Sequence, residues 1–357
     1  MVLKVDNEFV RRYHRKNRKK VLLIIAFAVI AFIGIWVALG IGLYSISMAY
    51  SYQVVIDHLF GNVTDTKADN YIFNFRLPRA LAAVLMGAVL AIGGAIMQNA
   101  TNNPLAEPYT LGVSSAALLG ATLSMAFGFC LIPGMDLEYG IVVNAFVFSL
   151  IPVITILFIS QFRKLSPVGI ILIGIALMYL FGSISQYIMV TSSAETLSDI
   201  YNWRIGSLHR MEKNYDALAL VAAITIPISI ILVMMDKKLD LMYAGDRNAR
   251  TMGLDVRTFR IIIMSLISLT TAAIVCFTGT IGFIGLVGPH VARAFVGSNN
   301  KYLLPCSAAF GAAFLVFADT VAKVSGAGGL PVGVISSMVG GPLFLYILIR
   351  HNRKVWN

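Results

Sequence analysis

Residues 236–260 read DKKLDLMYAGDRNARTMGLDVRTFR. Ten of these 25 positions are ionisable: Asp236, Lys237, Lys238, Asp240, Asp246, Arg247, Arg250, Asp255, Arg257 and Arg260. Charge-free runs flank them, Ala217–Met235 before and Ile261–Pro289 after. A charged side chain at a bilayer centre costs about 2.5–3.5 kcal/mol. Ten of them cannot be embedded, so the stretch sits in water between two membrane spans. Its interior holds apolar Met242, Met252 and Leu254, the helix formers Ala244 and Ala249, and Gly253 as a helix stop. That pattern predicts a short helix lying against the membrane surface. A solvated interhelical loop fits the same residues.

Working outward, the chain of 357 residues is 58% hydrophobic and only 13% charged, with a mean hydropathy of +0.81. Soluble domains average about 45–50% apolar and about 25% charged. Many apolar runs approach 20 residues, so an all-α, polytopic membrane protein with a single membrane domain is expected. Cys130, Cys276 and Cys306 lie in apolar runs without metal-ligand or redox spacing, and read as buried thiols.

The expected order is a basic tail (1–20), a transmembrane domain (21–350) that includes the 236–260 loop, and a short second tail (351–357). The first span is Val21–Leu43, too long for a secretory h-region. Arg76-Leu-Pro-Arg79 opens the second, Ala80–Gln98, with Pro78 suited to a first helical turn. Further spans follow at Tyr109–Ile132, Glu138–Ser160, Pro167–Val190, Asn214–Met235 and Phe259–Thr280. A short, interrupted Ile281–Phe295 comes next, then Leu303–Ala322 and Leu330–Ile349. About ten spans put both termini on one side. The segments on that side hold 21 of the 28 Lys and Arg residues; the opposite side holds seven, Lys67, Arg76, Arg79, Arg204, Arg210, Lys213 and Lys323. The positive-inside rule makes the richer side cytoplasmic, with both termini and the 236–260 loop. The net charge of +11 is therefore mostly topological signal, drawn to anionic headgroups of the lipid bilayer, and no nucleic-acid partner is expected.

Gly87, Ala91 and Ala95 recur every fourth residue, as do Gly333, Ser337 and Gly341. Small residues at that spacing let helices approach closely in lipid. No phosphate loop, HExxH or nucleophile–base arrangement is present, so no catalytic residue, no metal site and no bound cofactor is expected. Only Asp319 and His290 stand out as intramembrane ionisable groups, both near span ends, and Asp319 can pair with Lys323 one helical turn away. The lack of a clear relay weighs against an ion-coupled secondary carrier, the rival class.

Four stretches carry a resemblance. They are RLPRALAAVLMGAVLAIGGAIMQNATNNPLAEPYTLG at 76–112, AGDRNARTMGLDVR within the charged loop, TIGFIGLVGPHVAR at 280–293, and LPVGVISSMVGGP at 330–342. Together they resemble the permease subunits of binding-protein-dependent ABC importers for iron-siderophore, haem and cobalamin complexes, over about residues 21–350. The resemblance implies a type II importer permease fold with ten helices, working as a homodimer or a closely related pair. It also implies two cytoplasmic ATPase subunits that carry ATP and Mg, and an extracytoplasmic binding protein. The implied activity is inward translocation of a metal chelate, of iron-siderophore type, with cobalamin or haem as the alternative.

It further implies roles by position. Ala244, Gly245, Arg250, Gly253 and Leu254 match the element that couples to the ATPase. Arg76 and Arg79 match arginines that meet carboxylates of the binding protein, for which a planar fork is suited, although interfacial anchoring explains them equally. Lys323 takes the same role without the fork. Gln98, Asn103, Pro104, Gly285 and Pro289 are the candidates for the translocation pathway, though a rigid structural turn also explains 102–108. His290 reads as a satisfied structural histidine, Arg293 as an edge anchor, and Trp203 as either an outer-mouth residue or an interface anchor. Two positions depart from the family pattern: Gly329 stands where glutamate is common before Leu-Pro-Val-Gly, and Asn102-Asn103-Pro104 replaces Arg-Asn-Pro.

Overall fold

The computed structural model describes residues 7–42, 46–163, 165–326 and 328–352. The expected tails extend past it at 1–6 and 353–357. Within those bounds the chain is helical throughout. In order, the helices are α1 (Asn7–Gly40), α2 (Met48–Leu59), α3 (Thr66–Tyr71), α4 (Leu77–Thr101), α5 (Val113–Phe127), α6 (Leu137–Phe162), α7 (Pro167–Thr191) and α8 (Ala194–Ile205). They continue as α9 (Tyr215–Met234), α10 (Asp236–Tyr243), α11 (Asp246–Thr251), α12 (Val256–Thr278), α13 (Ile284–Val296), α14 (Asn300–Val324) and α15 (Val332–Asn352).

Eight helices among the described residues are long and apolar enough to cross a membrane, and the chain is a multi-pass membrane protein. Two apolar helices, α5 and α13, are shorter, with 15 and 13 residues. At 1.5 Å per residue they reach only about 20–23 Å, short of a hydrocarbon core of about 30 Å. Irregular backbone precedes each of them. Before α5 the chain turns back at Asn102, which is left-handed with φ 48°, and re-enters through a 3₁₀ turn at Pro108–Leu111. Before α13 the segment 279–283 does the same, with Phe283 at φ 70°. The third span is thus shorter than Tyr109–Ile132, and the interruption expected in Ile281–Phe295 falls before α13, at 279–283, with Gly285, Gly288 and Pro289 inside the helix.

Side chains that accept backbone N–H groups start many of the helices: Ser47, Asp65, Ser166, Ser193, Asn214, Asp255 and Asn299. The basic start of α1 is helical and joins the first span directly, so the expected boundary at residue 20 is no break in structure. The outer segments also carry order: α2 and α3 lie between the first two spans, and α8 lies between α7 and α9.

The centre of the fold is α4, whose most apolar window is 78% buried, against 22% for α7 and 28% for α15. Its small-residue stripe explains this. A Cβ on Gly87 would lie 2.3 Å from the Gly311 carbonyl of α14, and one on Gly94 would lie 1.7 Å from the Gly285 carbonyl of α13. Backbones this close admit only hydrogen at those positions. The second stripe works likewise: a Cβ on Gly333 would lie 1.8 Å from the Ile205 carbonyl. The three cysteines are unpaired, with Cys276 and Cys306 buried.

Candidate functional site

Three features of the bundle could carry function: an elbow, a charge cluster near the Arg79 end of α4, and a cavity.

The elbow is α10 and α11. Gly245 separates them at φ 99°, a conformation that side chains resist. Gly253, at φ 82°, ends α11: its N–H reaches the Arg250 carbonyl, and Leu254 N–H reaches that of Ala249. Leu239, Met242 and Ala249 are buried, which fastens the elbow to the bundle. Ala244, Arg250 and Gly253 face outward, with Gly245 and Leu254 half-buried. Met252 stands 70% exposed beside them. A rigid, water-facing projection with an apolar tip is what an external partner can push on.

The elbow is bonded to helices that are remote in sequence. Asp240 Oδ1 accepts from Asn300 N at 2.9 Å and Nδ2 at 2.7 Å, and Asn300 Oδ1 accepts from Asn99 Nδ2 at 2.8 Å. Arg260 donates from Nη2 to Asp246 at 2.6 Å and from Nε to the Ala100 carbonyl at 2.6 Å. Arg293 donates to Gln98 Oε1 at 3.0 Å and lies near the Tyr243 ring. No spacing in the sequence signals these contacts; Asp240 and Asn300 are 60 residues apart.

At the outer end, Arg76, Arg79 and Lys323 are 2%, 6% and 5% exposed. All three positions expected to dock a binding protein are thus buried within this chain. Arg76 closes a π-helical turn, Ile72–Arg76, and its guanidinium turns inward to the Leu39 carbonyl (2.7 Å) and Ser51 (3.0 Å). Arg79 is held by Asp319 and by Glu212, the latter at 2.7 Å. Lys323 Nζ lies 3.2 Å from Asp319, the pairing expected along the helix. His209, exposed at the rim, reaches Glu212 at 2.9 Å. The hydrogen bond to Glu212 raises the His209 imidazole above its ordinary pKa. Burial alone would raise the Glu212 carboxyl, but hydrogen bonds from His209 and Arg79 outweigh it and hold it below the usual range. Glu212 and His209 escaped sequence reasoning because an acid in an outer loop carries no pattern. Charges buried this deeply need partners, and that is why two positions expected to wait for a partner's carboxylates have found their own. An outer cavity of about 800 Å³, walled in part by Arg79, Trp203, Glu212 and Lys323, opens beside the cluster. Trp203 is buried in its wall.

The second cavity, about 740 Å³, opens between α5, α7 and α15. Serines 114, 115, 183, 185 and 337, with Gln186 and Thr280, add polar groups to a lining that is mostly apolar. Glu107 is its one acidic lining residue and Arg204 its one basic one. The re-entrant turn delivers Glu107 and Tyr109 to the wall, and the Tyr109 hydroxyl donates to the Ile281 carbonyl at 3.2 Å. None of the five positions expected on the pathway lines this cavity. Gly285 and Pro289 are buried against neighbouring helices. Gln98 is bonded to Arg293, and Asn103 stabilises its own turn by accepting from Leu105 N at 2.9 Å. A broken helix shows in a sequence; the face it offers to a cavity does not. His290 donates from Nδ1 to the Leu286 carbonyl (2.7 Å) and packs edge-on against Phe344, a structural role.

Comparison with known proteins agrees in extent and kind. The profile of the FecCD transport family matches residues 21–350. The hemin transport system permease protein HmuU of Yersinia pestis is 36% identical over 79% of this chain and 84% of its own. The Fe(3+)-citrate import system permease protein YfmE of Bacillus subtilis is 33% identical over 97% of this chain and 100% of its own. Among solved structures, a metal-chelate type ABC transporter in an inward-facing conformation superposes with a TM-score of 0.78 at 27% identity, covering 92% of this chain and 99% of that one.

Proposed function

Because the chain belongs to the FecCD transport family, whose profile spans residues 21–350, we propose that it is the membrane-spanning subunit of an ATP-driven importer carrying an iron-siderophore-type metal chelate inward. The observation that carries this reading is the elbow α10–α11, exposed and fastened to the core at one end of a bundle that holds a large cavity. Two cytoplasmic ATPase subunits bind ATP and Mg and engage the elbow through Ala244, Gly245, Arg250, Gly253 and Leu254. The chain itself performs no bond chemistry.

A second permease subunit, most simply another copy, covers the poorly buried faces of α7 and α15 and closes the cavity between them into a path. Exposed Tyr179, Tyr187 and Met338 support that placement. An extracytoplasmic binding protein docks on the outer end. Arg79 and Lys323 serve it only if its carboxylates displace Glu212, the less deeply buried of the two acids at this cluster. Haem and cobalamin are alternative cargoes of the same machine.

The test is ATP hydrolysis and uptake in proteoliposomes containing the chain and its ATPase. Binding protein would be added empty or loaded with ferric siderophore, haem or cobalamin. Stimulation by one loaded form, with matching uptake, names the cargo. Uptake that follows an ion gradient with no ATPase bound would overturn the reading in favour of a carrier. For the elbow, Arg250→Glu with Gly253→Pro should abolish ATPase association while the chain still reaches the membrane.

A further inference from the structure

The elbow is covalently joined only to α9 and α12, yet the cavity wall at 107–109 follows α4. A push on the elbow must therefore cross between elements through side chains. We propose that Asp240, Asn300 and Arg260 are the positioning residues that transmit movement of α10–α11 to the inner end of α4, and through the 102–109 turn to the cavity wall. This rests on the coupling role proposed for the elbow.

Two independent straps converge on consecutive residues of α4. One runs Asp240–Asn300–Asn99, with bonds of 2.7–2.9 Å. The other runs Asp246–Arg260–Ala100, with bonds of 2.6 Å on either side of the guanidinium. Each half of the elbow thus has its own strap, Asp240 from α10 and Asp246 from α11. Arg260 and Asn300 are 4% and 0% exposed, so the bundle end of each strap is shielded from water, where hydrogen bonds to charged groups are stiff.

What lies beyond α4 makes the connection consequential. After Thr101 the chain reverses at Asn102. The turn is braced by Asn103, whose carbonyl accepts from Ala106 N at 3.2 Å, and it then presents Glu107 and Tyr109 to the cavity. Residue 100 is seven positions from the wall, with a braced turn between. The joint is also not saturated. Asn99 Oδ1 and Arg293 Nε are buried without a hydrogen-bond partner among the described residues.

The experiment uses the reconstituted complex with ATPase and loaded binding protein, and reads uptake per ATP hydrolysed. Asp240→Ala and Asn300→Ala should each lower that ratio about fivefold or more, with ATPase association in pull-downs retained. Asp240→Asn keeps the acceptor for both Asn300 donors and should restore the ratio to within about twofold. A second readout is maleimide labelling of Leu105→Cys, in the exposed part of the turn, in a Cys130→Ser background. Its rate should change on trapping nucleotide in the parent chain and stop responding in Asp240→Ala. Unchanged uptake per ATP in both alanine variants, with nucleotide-dependent labelling intact, would overturn the proposal. So would a loss that Asp240→Asn shares in full. Should Asn300→Ala not reach the membrane, partly exposed Asp240 decides alone. Failure of the unaltered chain to bind the ATPase would sink the coupling role of the elbow itself, and is told apart from the other outcomes by the pull-down.

Discussion

Arg79 and Asp319 meet as a two-pronged ion pair across 240 residues of sequence: Nε lies 2.9 Å and Nη2 2.8 Å from Oδ1. The pair ties the outer end of α4 to that of α14, and Glu212 extends it to the loop before α9. Removing one partner of a buried pair leaves an uncompensated charge, at a cost of about 3–5 kcal/mol. Asp319→Asn leaves Arg79 and Lys323 to share Glu212. It should destabilise the protein by that amount, measured as lower thermal stability in detergent. Arg79→Lys should lose part of it, because an ammonium cannot bridge both carboxylates in the same plane.

If Arg79 serves the binding protein, Glu212 is its competitor. Glu212→Gln should then free one arm of the guanidinium and strengthen docking at low salt, by about two- to tenfold. Surface-immobilised binding protein would measure this. Unchanged or weaker docking would mean that Arg79 is wholly internal.

His209 and Glu212 give the outer loop a dependence on pH. His209 has a raised folded pKa, so its contribution is complete below the ordinary histidine value of about 6.5. It is lost as pH rises through the higher folded value. Glu212 has a lowered folded pKa; its contribution is present above the ordinary glutamate value of about 4.3 and lost as pH falls below it. Stability attributable to this contact should therefore decline on going from slightly acidic to alkaline pH. His209→Gln should flatten that decline in thermal melts. The effect should be small, about 0.2–1 kcal/mol, because His209 is exposed.

Gly94→Ala would put a methyl group 1.7 Å from the Gly285 carbonyl, a backbone atom that cannot move aside alone. Overpacking of this kind costs about 1–3 kcal/mol or more. Reduced yield of folded protein should follow, measured by monodisperse recovery from the membrane. Gly182→Ala, with nothing within 4 Å of the added carbon, is the control.

The architecture was legible because membrane insertion leaves a strong imprint. Uninterrupted apolar runs give the helices, and the small-residue stripes at 87–95 and 333–341 give two of the closest contacts. Gly253 was legible as a helix end, and Gly245 and Gly253 both take the left-handed backbone that only a special residue tolerates. The Asp319–Lys323 pair was legible because it is one turn apart. Arg79–Glu212 and Asp240–Asn300 were not, being set by how remote helices pack. The same limit explains the cavity. Gly285 and Pro289 lie buried inside α13, Gly285 against Leu90 and Pro108, and the wall falls to Glu107, Tyr109 and the serines of α5 and α7.

The near-contact of Gly94 with Gly285, and of Gly87 with Gly311, has a consequence for motion. Helices whose backbones touch have no side-chain cushion to shear, so α4, α13 and α14 tilt as one slab. At 25 residues, α4 is about 37 Å long. A displacement applied at Asn99 and Ala100 therefore reappears at the level of Arg79 and Asp319 with its sign reversed about any fulcrum between them. Under the coupling role proposed for the elbow, the outer end would follow the nucleotide state by leverage, without a relay of rearranging side chains along the way.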